Sequence, residues 1–230
     1  MTIREEYKKL QEIDRDFYSR FEKLRGKNGE DRYSDVLPYA WSAVKLKKSD
    51  FTESGYINAN YIRIDDEECI ATQGPLSNTS KCFWQMVWEE LCKVDNVNII
   101  MVTELSEGGR EKCFDYISIM REEVSEVFGK LGGVNVQFKE MFTICEGKVE
   151  IREILVEGGK IVRHVWIRGW PDFGVPINDD CNVNVIRWLE GKKVGKVFNI
   201  VHCSAGVGRS GTFIGLDYIL RKGGSIFEID

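Results

Sequence analysis

One stretch, Val197 to Phe213 (VFNIVHCSAGVGRSGTF), leaves the chain few ways to fold. Phe198 to Val201 read as a short buried strand, Gly206, Gly208 and Gly211 break that pattern, and Thr212 onward has helical character, which gives strand, tight loop and helix. A loop curling between Cys203 and Arg209 would turn successive N–H groups inward, a nest completed by the positive end of the following helix. Arg209 adds a planar fork suited to two phosphate oxygens at once. The same field would favour the thiolate form of Cys203. The pattern thus predicts a nucleophile below a cradle for a tetrahedral oxyanion.

Three other readings compete with that one. Buried cysteines are usually inert small hydrophobes, so a Cys at a strand end with nothing around it would be core. Gly206, Gly208 and Gly211 also satisfy GxGxxG, the dinucleotide fingerprint, but that needs a further βαβ unit with an acid about 20 residues on, and the sequence stops at Asp230. A nucleoside-triphosphate loop requires a lysine ahead of Ser210 or Thr212, and none stands there. The stretch HCSAGVGRSGTF, residues 202–213, resembles the signature of the protein tyrosine phosphatases, in which the Cys is the nucleophile and the Arg binds phosphate. The bare Cys-x5-Arg pattern is shared with dual-specificity and lipid phosphatases; the longer form is far more specific.

Composition narrows the function classes further. At 230 residues the chain fits one domain, residues 1–230, with a sizeable core. A net charge of −5 argues against a general nucleic-acid or anionic-membrane role. No apolar run approaches the roughly 20 residues of a transmembrane helix, and MTIREEYKKLQEIDRDF is too charged for a secretory signal. Seven cysteines without a CxxC pair fit a reducing compartment, hence a cytoplasmic location, and suggest no zinc site. With only His164 and His202 available, a thiolate and a carboxylic acid are better placed than a histidine base to drive chemistry.

Further motifs extend the resemblance over residues of about 30 to 220. DRYSDVLPY is similar to the family segment whose Tyr stacks on the phosphotyrosine ring and whose Asp holds substrate amides, which assigns those roles to Tyr33 and Asp35. Depth is the physical reason: an aromatic wall admits a long phosphotyrosine and leaves phosphoserine short of the thiolate. Without the resemblance Tyr33 and Tyr39 would be half-buried loop aromatics. Ser34 stands where the family often has a basic residue. In the loop after NVNIIMVTEL, Glu107 and Lys112 match a family acid and lysine beside the cleft, the acid near the phosphate-binding Arg; the bland alternative is two solvated loop charges.

GWPDFGVP, residues 169–176, matches the family's WPD loop, which makes Asp172 the general acid; without context it would be an ordinary turn residue. Expelling a tyrosyl oxyanion is easier if it is protonated as it leaves, and a positioned acid typically contributes about 10²–10⁴-fold. Just upstream, Ile167 and Arg168 replace the family's Tyr-Thr pair. The family also carries a later helix and a glutamine segment that positions hydrolytic water; the chain as given lacks both, so phosphocysteine should accumulate, and Phe213, Leu216 and Leu220 on the last helix should be left uncovered.

The rest of the chain is read by pattern. Ile3, Tyr7, Leu10, Phe17, Phe21 and Leu24 predict an amphipathic helix over residues 2–25. YINANYIRI suggests strands around a turn, CIATQGPL another strand, and SNTSKCFWQMVWEEL a helix capped by a Ser or Thr with Phe83, Met86, Val87 and Leu91 inward. NVNIIMVTEL reads as a buried parallel strand. From Tyr116 to Ile167 the text alternates as hairpins around Gly147 and Gly158-Gly159. A helix around Val185, Ile186 and Leu189 and another over about 210–220 close the pattern.

The expected fold is α/β: a single domain with a twisted mixed sheet flanked by helices, the catalytic loop lying between a central strand and a helix. The resemblance implies hydrolysis of phosphotyrosine in proteins without metal or organic cofactor. Cys203 attacks, the amides of Ser204, Ala205, Gly206, Val207, Gly208 and Arg209 hold the oxygens, and Ser210 stabilises the departing thiolate. His202 orients the loop or is simply a satisfied buried histidine. One alternative is a phosphotyrosine-binding module without turnover, against which Asp172, Cys203 and Tyr33 are all retained. The other is a lipid phosphatase, which would favour lysines where Ser204 to Gly208 are uncharged.

Overall fold

The structure is a computed structural model that describes Lys8, residues 21–170 and residues 180–222. Runs of β-branched and aromatic residues form β1 (Ala43–Lys45), β2 (Tyr56–Ile64) and β3 (Glu67–Thr72), an antiparallel ribbon. YINANYIRI is one continuous strand and not two around a turn. The reversal comes after it, where Asp65 takes a positive φ of 54°, a conformation Asp tolerates.

α1 (Ser80–Leu91) buries Phe83, Met86, Val87 and Leu91 as their spacing requires. Thr79 occupies its N-cap position, but the Thr79 hydroxyl accepts from the Leu76 N–H and caps no first-turn amide. β4 (Asn96–Met101) is buried along its whole length, as expected of a parallel central strand. β5 (Ser106–Glu107) and β6 (Arg110–Glu111) make a small hairpin around Gly108 and Gly109, both at positive φ.

The stretch read as hairpins from Tyr116 begins with a helix instead, α2 (Met120–Gly132). Met120, Val124, Val127 and Phe128 recur at helical spacing and are buried, a signal masked by the glycines at 129, 132 and 133. Gly132 is no punctuation: a Cβ there would lie 2.1 Å from the Trp88 ring, so its absence lets α2 pack closely on α1. β7 (Val136–Phe138), β8 (Phe142–Ile144), β9 (Val149–Val156) and β10 (Lys160–Ile167) then pair antiparallel around β9. α3 (Asp180–Gly191), β11 (Val197–His202) and α4 (Gly208–Lys222) complete the described chain.

The nine-stranded sheet runs β1-β2-β3-β11-β4-β10-β9-β7, with β8 beside β9. β3, β11, β4 and β10 are mutually parallel, which puts β11 in the middle of the sheet. α1 and α2 cover one face around Phe83, Trp84 and Phe128, and α3 and α4 cover the other around Val185, Ile186, Phe213 and Ile214. The mixed, helix-flanked sheet is the one expected. Phe213 is not uncovered, being 1% exposed; Leu216 is half-buried, and only Leu220 of the three is exposed.

The helix expected over residues 2–25 does not reach its final turn. Lys23 bridges Tyr39 in antiparallel fashion, Leu24 N–H donates to the Pro38 carbonyl and Ala40 N–H to that of Glu22, each at 2.9 Å. These bonds commit residues 22–24 to extended backbone. Of residues 2–20 of that predicted helix, only Lys8, which is helical, lies among the described residues.

Candidate active site

The loop leaving β11 is shaped by what its neighbours exclude. Gly206 takes φ +78°, and a Cβ there would sit 2.3 Å from the Thr72 carbonyl oxygen, so neither the conformation nor the space admits a side chain. The turn brings the Gly206 N–H to 3.2 Å from Cys203 Sγ. Beside it, Gly74 N–H donates to the Ser204 carbonyl at 2.9 Å, in a place where a Cβ would meet the Cys203 carbonyl at 2.7 Å. The sulfur therefore lies at the carboxyl end of the central strand with a backbone donor aimed at it. Cys203 is 3% exposed.

Arg209, in the first turn of α4, is held from two sides. Its Nη1 donates to Glu107 Oε1 at 2.6 Å and to the Trp170 carbonyl at 2.9 Å. Thr103 Oγ1 and the Glu104 N–H also approach Glu107 Oε1, each at 3.4 Å, and steady the carboxylate. A guanidinium fixed along one edge presents its plane in a set direction, and charge-assisted bonds to carboxylate are the stronger kind. Ser210 is fully buried, and its Oγ has no hydrogen-bond partner among the described residues.

Tyr33 is brought to the same loop by Arg32. Arg32 N–H donates to Gln73 Oε1 at 2.8 Å, Nε to the Gly74 carbonyl at 3.0 Å and Nη2 to the Pro75 carbonyl at 2.7 Å, with Glu111 3.2 Å from Nη1. The Tyr33 hydroxyl then reaches Ser204 Oγ at 2.8 Å, and Ser204 Oγ donates to the Lys112 carbonyl at 2.7 Å. Lys112 thus touches the loop through its backbone. Asp35 is exposed two residues beyond Tyr33.

Of the residues singled out by sequence, the structure gathers Tyr33, Glu107, Lys112, Cys203, Ser204, Gly206, Arg209 and Ser210 around one loop. Ala205, Val207 and Gly208 complete it, with Val207 exposed at 55%. Asp172 lies outside the described residues. The carbonyl of Trp170, two residues before it, is bonded to Arg209. Arg168, one of the departures from the family pattern, pairs with Glu150 at 3.0 Å and Glu104 at 3.5 Å, while Gly169 N–H donates to Glu104 Oε1 at 2.9 Å.

Sequence reasoning missed Tyr116. This fully buried residue links both histidines of the chain, its Oη 2.8 Å from His164 Nε2 and 2.7 Å from His202 Nε2. His202 Nδ1 lies 3.1 Å from the Cys203 carbonyl, so the buried imidazole is bonded to the backbone at the start of the loop. Burial, with a smaller push from Arg32, lowers the pKa of His202 to about 4 and leaves it neutral. A usable signal existed: the two histidines fall in apolar, strand-like runs, where polar side chains need a buried partner. Arg32 was missed as well, because a charge preceding a motif looks solvated until its carbonyl partners are seen.

The family model for protein-tyrosine phosphatase matches residues 27–225. Human receptor-type tyrosine-protein phosphatase eta is 36% identical over 208 residues, covering 86% of this chain and 15% of that protein. Tyrosine-protein phosphatase 1 of Schizosaccharomyces pombe is 35% identical over 195 residues, covering 84% of this chain and 35% of that one. The chain thus spans about a sixth to a third of the length of these relatives. The catalytic domain of human protein tyrosine phosphatase non-receptor type 18 superimposes with a TM-score of 0.77 at 27% identity, over 97% of this chain and 84% of that one.

Proposed function

This chain belongs to the protein-tyrosine phosphatase family, and from that premise we propose that it hydrolyses phosphotyrosine in proteins through a phosphocysteine intermediate. The observation that carries the reading is the pairing at the loop: a backbone N–H on Cys203 Sγ and, at the loop's far end, a guanidinium already held by Glu107 and the Trp170 carbonyl.

The substrate ring enters along Tyr33, and Asp35, exposed at the rim, holds amides of the peptide. The amides of Ser204, Ala205, Gly206, Val207, Gly208 and Arg209, with the Arg209 fork, take the nonbridging oxygens. Sγ attacks phosphorus in line. The S–P bond forms as the P–O bond to tyrosine breaks, and the proton of Asp172 goes to the leaving phenolic oxygen. Fixed donors around the phosphoryl group stabilise its transition state without reorganising. In the second step Asp172 accepts a proton from water, the water oxygen bonds to phosphorus, and the S–P bond returns its electron pair to sulfur. Ser210 Oγ, buried and without a partner among the described residues, is an uncommitted donor for the departing thiolate.

Seven unpaired cysteines suit a reducing compartment, which supports action in the cytoplasm on intracellular phosphotyrosine proteins. Among the described residues no helix is long and apolar enough to cross a membrane. The test is phosphate release from a phosphotyrosine peptide, compared with a phosphoserine peptide and a phosphoinositide. Turnover of the first and little of the others is expected; preference for either of the others would overturn the substrate assignment.

A further inference from the structure

One buried polar row does no work in the chemistry above. It runs across the α1/α2 face of the sheet, from Arg152 on β9 and His164 on β10 through Tyr116 to His202 on β11. Its hydrogen-bond direction can be deduced. A carbonyl only accepts, so the His202 nitrogen 3.1 Å from the Cys203 oxygen, Nδ1, carries the proton. His202 is neutral, so its Nε2 offers a lone pair and takes the Tyr116 hydroxyl proton at 2.7 Å. That hydroxyl has no second proton, so His164 must donate to it through Nε2–H at 2.8 Å. Burial also keeps His164 neutral. Its Nδ1 is therefore a bare acceptor.

The far end of the row holds two unsatisfied atoms of opposite kind. His164 Nδ1 is buried with no partner among the described residues, and so is Arg152 Nη1. Arg152 and His164 are direct cross-strand partners of the antiparallel β9–β10 pair, so their side chains share one face of the sheet. The other terminal guanidinium nitrogen, Nη2, is fixed by Glu150 Oε2 at 2.5 Å. A buried orphan donor and a buried orphan acceptor at one cross-strand site are costly apart and complementary together.

We propose that Arg152 and His164 are positioning residues for the Cys203 loop: Arg152, through one bridging water, occupies the Nδ1 lone pair of His164 and so fixes the direction of the chain from His164 through Tyr116 and His202 to the Cys203 carbonyl. Were Nδ1 the protonated nitrogen, Tyr116 would be drawn to donate to His164. His202 Nε2 would then face an oxygen lone pair, and the grip on the Cys203 carbonyl would loosen. The inference rests on the reading of Cys203 as the nucleophile, but its first readout is independent of turnover.

Nitrogen-15 NMR of the intact chain reports the tautomers directly: His164 as Nε2–H and His202 as Nδ1–H are expected, and His164 as Nδ1–H overturns the proposal. Alkylation of Cys203 by iodoacetamide, followed by mass spectrometry, is then compared among variants. His164→Leu and Tyr116→Phe should each slow it about tenfold, the scale of one lost hydrogen bond. The double variant should be no slower than either single one, as for residues acting in series. His164→Gln, which keeps an N–H donor, should recover most of the rate, and Arg152→Met should scramble the His164 tautomer. A folded His164→Leu protein alkylated at the wild-type rate overturns the proposal. Phosphotyrosine turnover is measured alongside: if it is absent while tautomers and alkylation behave as expected, the phosphatase reading fails and the positioning role stands.

Discussion

Tyr33 Oη lies 2.8 Å from Ser204 Oγ, whose single proton is committed to the Lys112 carbonyl at 2.7 Å, so Tyr33 is the donor of the bond between them. The ring proposed as the aromatic wall of the cleft is thereby tied to the Cys203 loop and not merely packed near it. Arg32, with three bonds to Gln73, Gly74 and Pro75, fixes the backbone that carries the wall.

Ring and hydroxyl of Tyr33 should therefore separate by mutation. Tyr33→Ala should cost on the order of 1 kcal/mol in kcat/KM for a phosphotyrosine peptide, the scale of one aromatic contact, and narrow the gap to phosphoserine. Tyr33→Phe keeps the ring and should keep the selectivity. An unchanged ratio of the two substrates in Tyr33→Ala would mean that another wall sets the depth.

Glu107 should act through Arg209. The pair is mostly buried, so removing the carboxylate in Glu107→Ala frees the guanidinium from its strongest partner and should cost about 2 kcal/mol, or roughly thirtyfold in kcat/KM. Much of the loss should appear in KM, since the role proposed for Arg209 has it grip ground-state phosphate as well as the transition state. Steady-state kinetics decides it; wild-type values in Glu107→Ala would reduce the ion pair to a bystander.

Much of the fold and site was legible, and the gaps have physical causes. VFNIVHCSAGVGRSGTF reads as strand, loop and helix because β-branched residues, three glycines and a helical tail each act locally. α2 was hidden because Gly129 and Gly132 look like breaks, and only the Trp88 ring across the interface shows why Gly132 stands inside a helix. Residues 22–24 carry a helical spacing that pairing with residues 38–40 overrides. Tyr116 and Arg32 were invisible for a different reason: their partners are backbone carbonyls and histidines 40 or more residues away, set by strand order.

The buried histidines predict an acid sensitivity with a definite sign. His202 titrates at about 4 when folded, against 6.5 when exposed. Between those values the unfolded chain binds a proton that the folded one refuses, so stability falls as pH drops through the window and is fully present above it. The full span is worth about 3 kcal/mol; His164, shifted the same way by burial, adds to it. Urea melts at about pH 7 and about pH 5 should show a smaller difference in His202→Gln than in the parent. Equal pH dependence in the two would mean His202 is protonated in the fold.

The general-acid role proposed for Asp172 predicts that it matters most for poor leaving groups. Asp172→Ala should lose far more activity on a phosphotyrosine peptide than on an activated aryl phosphate that departs unaided, up to about 10²–10⁴-fold on the former. Comparable losses on both substrates would assign the residue a structural role.

The most direct test is to catch the covalent intermediate. A phosphotyrosine peptide mixed rapidly with the protein and quenched in acid should leave phosphate on one residue, and peptide mass spectrometry should place it on Cys203. Cys203→Ser should bind the peptide, since the cradle of Gly206 and Arg209 survives, yet release no phosphate. Phosphotyrosine turnover without phosphate on Cys203, or persisting in Cys203→Ser, would contradict Cys203 as the nucleophile.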